Sequence, residues 1–184
     1  MPTGDVDDPD NLVDVPFGDG TTDLILRFHT DYTGVDKLFL NATLKYDIQL
    51  SSEEIKRVPD DVNLPLTANK EKVDLDLGDV LDLELMGKYS LSREWSIGLK
   101  YRYTAKGKDK VDGNSGFAYS SLEAETDFTS HMGFLLVGYS TVGKYMDEKT
   151  GIPFDLNLAY RDRFAGTNNV TVSQFISVDF SLYF

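Results

Sequence analysis

Chemistry-bearing side chains crowd together most closely at Glu125-Thr126-Asp127-Phe128-Thr129-Ser130-His131. A hydrolase needs its hydroxyl within hydrogen-bond reach of a base. Neighbouring residues of an extended chain point to opposite faces. Ser130 and His131 therefore turn away from each other, and no catalytic residue is assigned. The second histidine, His29, shares the polar alternates of its segment with Asp23 and Arg27 and reads as a hydrogen-bonded side chain. Neither Gly-x-Ser-x-Gly nor His-Glu-x-x-His occurs, and Gly18-Asp19-Gly20 opens an alternating segment instead of a helix, which excludes a nucleotide loop. The chain has no cysteine, so disulfides and thiolate metal sites are excluded. Asp5, Asp7, Asp8, Asp10 and Asp14 offer the oxygen ligands that calcium takes. Their spacing fits no EF-hand and Pro9 interrupts them. This run and Asp109-Lys110-Val111-Asp112-Gly113-Asn114 both read as solvated loops, and no metal or cofactor is expected.

The remaining charges form a ladder. Lys45, Asp47, Asp82, Glu84, Lys88, Lys100, Arg102, Asp155, Arg161, Arg163 and Asp179 all fall on the polar alternates of segments whose other alternates are apolar. Such a ladder can line a pore and filter solutes by sign. It can equally be a network of ion pairs filling a narrow interior. Arg161 and Arg163, with Asp179 on the following segment, are the densest cluster, and the strand register decides whether they pair.

What positions these residues is a period of two. Ile176, Val178, Phe180, Leu182 and Phe184 alternate with Ser177, Asp179 and Ser181, with Phe175 and Tyr183 as aromatic exceptions on the polar parity. Trp95, Ile97, Leu99, Tyr101 and Tyr103 alternate with Ser96, Gly98, Lys100, Arg102 and Thr104. The same alternation marks 22–32, 37–50 and 152–164, and 73–91 keeps one apolar parity with Asp79 and Gly87 as breaks. In 118–141 the even positions Leu122, Ala124, Phe128, Met132, Phe134 and Leu136 share a parity. A helix would repeat at three and four. A thirteen-residue strand at ~3.3 Å per residue spans roughly 43 Å, enough to cross a bilayer at a tilt, and aromatics gather toward segment ends. The expected fold is therefore all-β: an antiparallel transmembrane β-barrel of seven to eight meandering strands.

Composition is compatible with that. A net charge of −13 excludes a nucleic-acid binder. A mean hydropathy of −0.29 fits strands in which alternate residues face lipid. No signal peptide follows Met1, which leads to the expectation of a processed form, a fragment or an excised piece. The chain is expected to be one barrel domain, 1–184, with an acidic outer loop at 1–21 and strands at 22–32, 37–50, 73–91, 94–106, 118–141, 152–164 and 172–184. Loops at 51–72, 107–117 and 165–169 then lie outside the cell, and tight turns at 33–36 and 92–93, with a turn at 143–151, lie in the periplasm. Seven strands is an odd number, whereas bacterial single-chain barrels have an even one, so the chain is expected to be part of a larger barrel. An eight-stranded closed barrel, with 118–141 as a hairpin, is the alternative.

Several short words strengthen this reading. Pro2-Thr3-Gly4-Asp5, Gly18-Asp19-Gly20, Arg57-Val58-Pro59, Tyr139-Ser140-Thr141, Ala165-Gly166-Thr167-Asn168-Asn169 and a terminal Phe occur in this order. Together they resemble the C-terminal half of the transporter-like barrels grouped with phenol meta-degradation outer-membrane proteins. Those are distant relatives of the long-chain fatty-acid and aromatic-hydrocarbon transporters. The resemblance implies an outer-membrane, porin-like channel of a Gram-negative envelope for small hydrophobic or aromatic solutes, not an enzyme. Its partners would be outer-membrane lipid, lipopolysaccharide and the barrel-assembly machinery, the last reading Ile176, Val178, Phe180, Leu182 and Phe184 of the last strand. A small structural or adhesion barrel without a pore is the alternative.

Overall fold

The computed structural model describes residues 8–10, 18, 20–64, 66–168 and 170–184. Pro2-Thr3-Gly4-Asp5, Asp7, Asp14, Asp19 and Asn169 lie outside the described residues. Strand formation starts from the turns. Lys37 takes a left-handed φ of 63°, so Asp36-Lys37 folds the alternating segments on either side into β1 (Thr22–Val35) and β2 (Leu38–Leu50). Ser92 closes the next short turn: its hydroxyl accepts the amides of Glu94 and Trp95, each at 3.1 Å. That turn joins β5 (Val80–Ser90) to β6 (Trp95–Lys106). Thr141 closes the third, accepting the Phe154 amide at 2.9 Å between β8 (Phe128–Ser140) and β9 (Phe154–Gly166). The connection contains the one-turn helix α1 (Val142–Met146), where the sequence predicts a plain turn. The last strand is β10 (Ser173–Leu182).

These seven strands form one antiparallel sheet in the order β1-β2-β5-β6-β8-β9-β10. Every neighbour is the next of these seven along the chain. The sheet is open: β1 and β10 are its edges. A second, three-stranded antiparallel sheet contains β3 (Ser52–Arg57), β4 (Lys70–Asp76) and β7 (Lys110–Asp112), in that order. The chain divides into two compact units. The first takes in the described residues of Met1–Leu26, Tyr46–Leu81 and Ala105–Phe128, and the second Arg27–Lys45, Asp82–Thr104 and Thr129–Phe184.

The first unit differs most from the sequence reading. Segments 51–72 and 107–117, expected as outer loops, supply β3, β7 and the start of β4. Val58, Val73, Leu75 and Val111 form a core there, packed by Leu77, Phe117, Tyr119 and Leu122. The single strand expected over 73–91 is two strands in different sheets, β4 and β5. The break falls at Gly78, where a Cβ would stand 2.0 Å from the Gly107 carbonyl oxygen. Asp79, a parity break in the sequence, accepts the Tyr46 hydroxyl at 2.6 Å and the Gln49 amide at 3.1 Å.

The long strand expected over 118–141 is also shorter, β8 alone. Tyr119–Ser121 form a turn of 3-10 helix, and Glu125 has a positive φ of 56° that ends extended geometry. Leu122 is apolar because it packs on the first unit's core, not because it continues β8. The hairpin alternative is absent among the described residues, since β8 runs unbroken from Phe128 to Ser140.

Candidate functional site: the charged face of the second unit

Register fixes which side chains share a face. Across β8, β9 and β10, Leu135 lies opposite Tyr160 and Ile176, Val137 opposite Leu158 and Val178, and Tyr139 opposite Leu156 and Phe180. This is the apolar face. The other carries Ser140, Asp155 and Ser181, then Gly138, Asn157 and Asp179, then Phe134, Arg161 and Phe175. The even positions Met132, Phe134 and Leu136 thus stand on the charged face, with Arg163, Arg161 and Ala159 opposite. Sequence parity suggested one uninterrupted apolar side through 118–141. The pairing passes from His131–Ala165 to Met132–Arg163, so the extra residue of the bulge is Phe164 of β9; β8 keeps its alternation, and its even side is the charged one.

The ladder holds on β5 and β6. Lys100 Nζ lies 3.0 Å from Glu84, Arg102 Nη2 lies 3.0 Å from Asp82 and its Nε 3.6 Å from Glu84, and the Thr104 hydroxyl donates to Asp82 at 2.6 Å. Asp82 is so enclosed that 13% of its side chain is exposed. Lys45 joins this group in a cavity of about 420 Å³ with Arg27, His29, Thr43, Asp82, Glu84 and Arg102. His29 is tied in, with Nδ1 2.8 Å from the Thr43 hydroxyl and Nε2 3.4 Å from Asp31. A second cavity on this face, about 380 Å³, is lined by Lys88, Ser96, Asn157 and Asp179 among others. Asp155 accepts the Tyr183 hydroxyl at 2.6 Å. Asp47 belongs to the first unit and is buried there.

The densest predicted cluster does not assemble. Asp179 stands opposite Asn157, whereas Arg161 stands opposite Phe175 and Arg163 opposite Ser173. Four residues of β10 separate Asp179 from the partner of Arg161, roughly 13 Å at the usual strand rise. Sequence reading missed Phe134 and Phe175 as members of this site. Phe175, an aromatic on the polar parity, was the legible signal.

Ser130 and His131 are not brought together. The Ser130 hydroxyl is buried without a hydrogen-bond partner. His131 Nδ1 is 2.7 Å from the Tyr101 hydroxyl, and its ring packs 4.9 Å from Tyr103 and 6.1 Å from Phe164. Within the first unit, Asp10 of the acidic run accepts from Arg57 at 2.9 Å and pairs with Lys70. These cations lower its carboxyl pKa, Lys70 most. Among the described residues no cluster suited to a metal ion is present.

The two faces are exposed in the reverse of the usual order. Leu99 is 66% exposed, and Phe28, Ile176, Val178 and Phe180 are all above 60%, while the Lys100 and Glu84 side chains are below 30%. A cavity of about 800 Å³ is a dent in the apolar face, opened by Ala42, Gly87 and Gly133 between larger residues such as Leu99 and Tyr160. Aromatic rings form rows on that face. Trp95, Tyr139, Phe154 and Phe180 follow one another at 4.7, 5.9 and 5.6 Å across β6, β8, β9 and β10. Tyr101, Tyr103, His131 and Phe164 group farther along the strands. No family model matches the chain, and no curated protein matches it either.

Proposed function

We propose that this chain forms wall strands of an outer-membrane β-barrel channel for small hydrophobic or aromatic solutes. The observation that carries the proposal is the inverted exposure: leucine, valine and phenylalanine outward, ion-paired charge enclosed. In water each exposed Å² of apolar surface forgoes about 25 cal/mol of burial. Against hydrocarbon the same surface is matched, and the charged face can line a wet interior. The aromatic rows support this. Trp95 and Tyr103, eight residues apart on β6, are separated by roughly 26 Å along the strand at the usual rise, comparable with an apolar band ~25 Å tall between two aromatic girdles. In hydrocarbon an unpaired sheet edge costs several kcal/mol per backbone group, so β1 and β10 must each be paired, with one another or with further strands. Outer-membrane lipid, lipopolysaccharide and the assembly machinery are the proposed partners. The machinery would read the exposed row Ile176, Val178, Phe180, Leu182 and Phe184.

A second reading, a structural or adhesion barrel without a pore, is favoured by the Lys100–Glu84–Arg102–Asp82 network, which fills the interior with matched charge. One experiment tests both. The chain has a single tryptophan, Trp95, exposed on the apolar face. After refolding into vesicles, brominated lipids should quench it, most strongly when bromine sits near the headgroups. Absence of quenching would refute the membrane reading. Quenching with ion conductance supports the channel, and quenching without it supports the closed barrel.

A further inference from the structure

The cations of the charged face are not equivalent. Lys100 and Arg102 are matched by Glu84 and Asp82. Arg161 and Arg163, two residues apart on β9, have no ion pair among the described residues. Nε of each is shut off from solvent without a hydrogen-bond partner, and Arg163 Nη1 makes a long 3.5 Å bond to the Thr171 carbonyl. A buried donor left unsatisfied is costly, more so when charged. Rings flank the first of the pair. Register sets Arg161 between Phe134 and Phe175, and Arg163 between Met132 and Ser173. The Arg161 guanidinium lies 5.0 Å from the Phe175 ring centre, and Lys100 Nζ lies 4.9 Å from that of Phe134. Asp162, between the two arginines in sequence, faces the other side with Gly133 and Gln174.

We propose that Arg161, Arg163, Phe134 and Phe175 form a subsite for an organic anion with a flat aromatic body, an aromatic carboxylate being the simplest. The guanidinium fork matches both oxygens of a carboxylate, and the two phenylalanines offer faces and edges to a ring. A hydrocarbon would leave both arginines unmatched. An inorganic anion would leave both rings unused. The proposal rests on the channel reading and narrows its solutes from neutral aromatics to aromatic anions.

The test uses the full chain refolded in vesicles, with benzoate, benzyl alcohol and acetate as probes in calorimetry. Benzoate should bind, with benzyl alcohol and acetate each weaker by roughly tenfold or more, as expected when a charge-assisted hydrogen bond or a ring contact is lost. Arg161→Gln with Arg163→Gln should weaken benzoate by about tenfold and leave benzyl alcohol unchanged. Phe175→Leu should weaken benzoate and spare acetate. Equal affinity of the unaltered protein for benzoate and benzyl alcohol would overturn the subsite, as would no benzoate binding or indifference to the arginine changes. Trp95 quenching in the same sample separates the two ideas. Quenching without benzoate binding removes the subsite and keeps the barrel. Arginine-dependent binding without quenching keeps the subsite and removes the membrane reading.

Discussion

At the scale of single residues, one carboxylate organises a whole loop. Glu71 accepts the Tyr119 hydroxyl at 2.6 Å on one oxygen, and the Asn114 and Ser115 amides at 2.7 and 2.8 Å on the other. These bonds, Tyr119's first, hold its pKa below the ordinary 4.5. A carboxylate with a depressed folded pKa stabilises fully above its unfolded value and loses that contribution as pH falls through the folded one. Amide exchange at Asn114 and Ser115, corrected for intrinsic rate, should therefore be steady from pH 7 to about 5 and accelerate below about 4. Glu71→Gln should give the fast exchange already at pH 7. An unchanged profile in that variant would show that the loop is held by Phe117 and Tyr119 packing alone. The same scale explains Asp147. Arg93 lies 2.5 Å from it and Lys149 3.2 Å, and Arg93 is the larger cause of its lowered pKa.

At the scale of elements, register carries the argument. On β6 the assigned faces make opposite demands. Leu99→Arg should cost roughly 2–4 kcal/mol in refolding into lipid, the range for a cation at the midplane of a barrel's lipid face. Lys100→Leu leaves Glu84 to Arg102, 3.6 Å away, and should cost less. Urea titration of vesicle-refolded protein checks this, and equal losses would contradict the faces. Gly78 is the element-scale test in the first unit. Any side chain there meets the Gly107 backbone, and a backbone cannot move aside as a flexible side chain does. Gly78→Ala should destabilise the three-stranded sheet, read as faster exchange at Val73 and Val111, with β9 and β10 unaffected. Loss of protection across β9 and β10 too would show that the two sheets unfold as one.

At the scale of the molecule, an open seven-stranded sheet and an inverted surface set the question of closure. If the edges β1 and β10 pair in lipid, the refolded chain should run as a compact band on a detergent gel and shift on boiling. If they do not, the chain should aggregate without a shift. The sequence alone determined the all-β class and the positions of β1, β2, β6, β9 and β10, because alternation at period two is a local property that survives any packing. It also determined which charges share a parity on a strand, since side chains must alternate. It could not determine that the apolar residues of 73–77 and 117–122 are buried against a core of their own. Val73 and Leu122 alternate like wall residues, yet they close a separate small core. Nor could it determine what stands across from what. Whether Arg161 meets Asp179 or Phe175 depends on strand register, and so does the pairing that sets Phe134 opposite Arg161. Those are tertiary facts, set by how neighbouring strands slide to satisfy their backbone hydrogen bonds, and only the folded chain contains them.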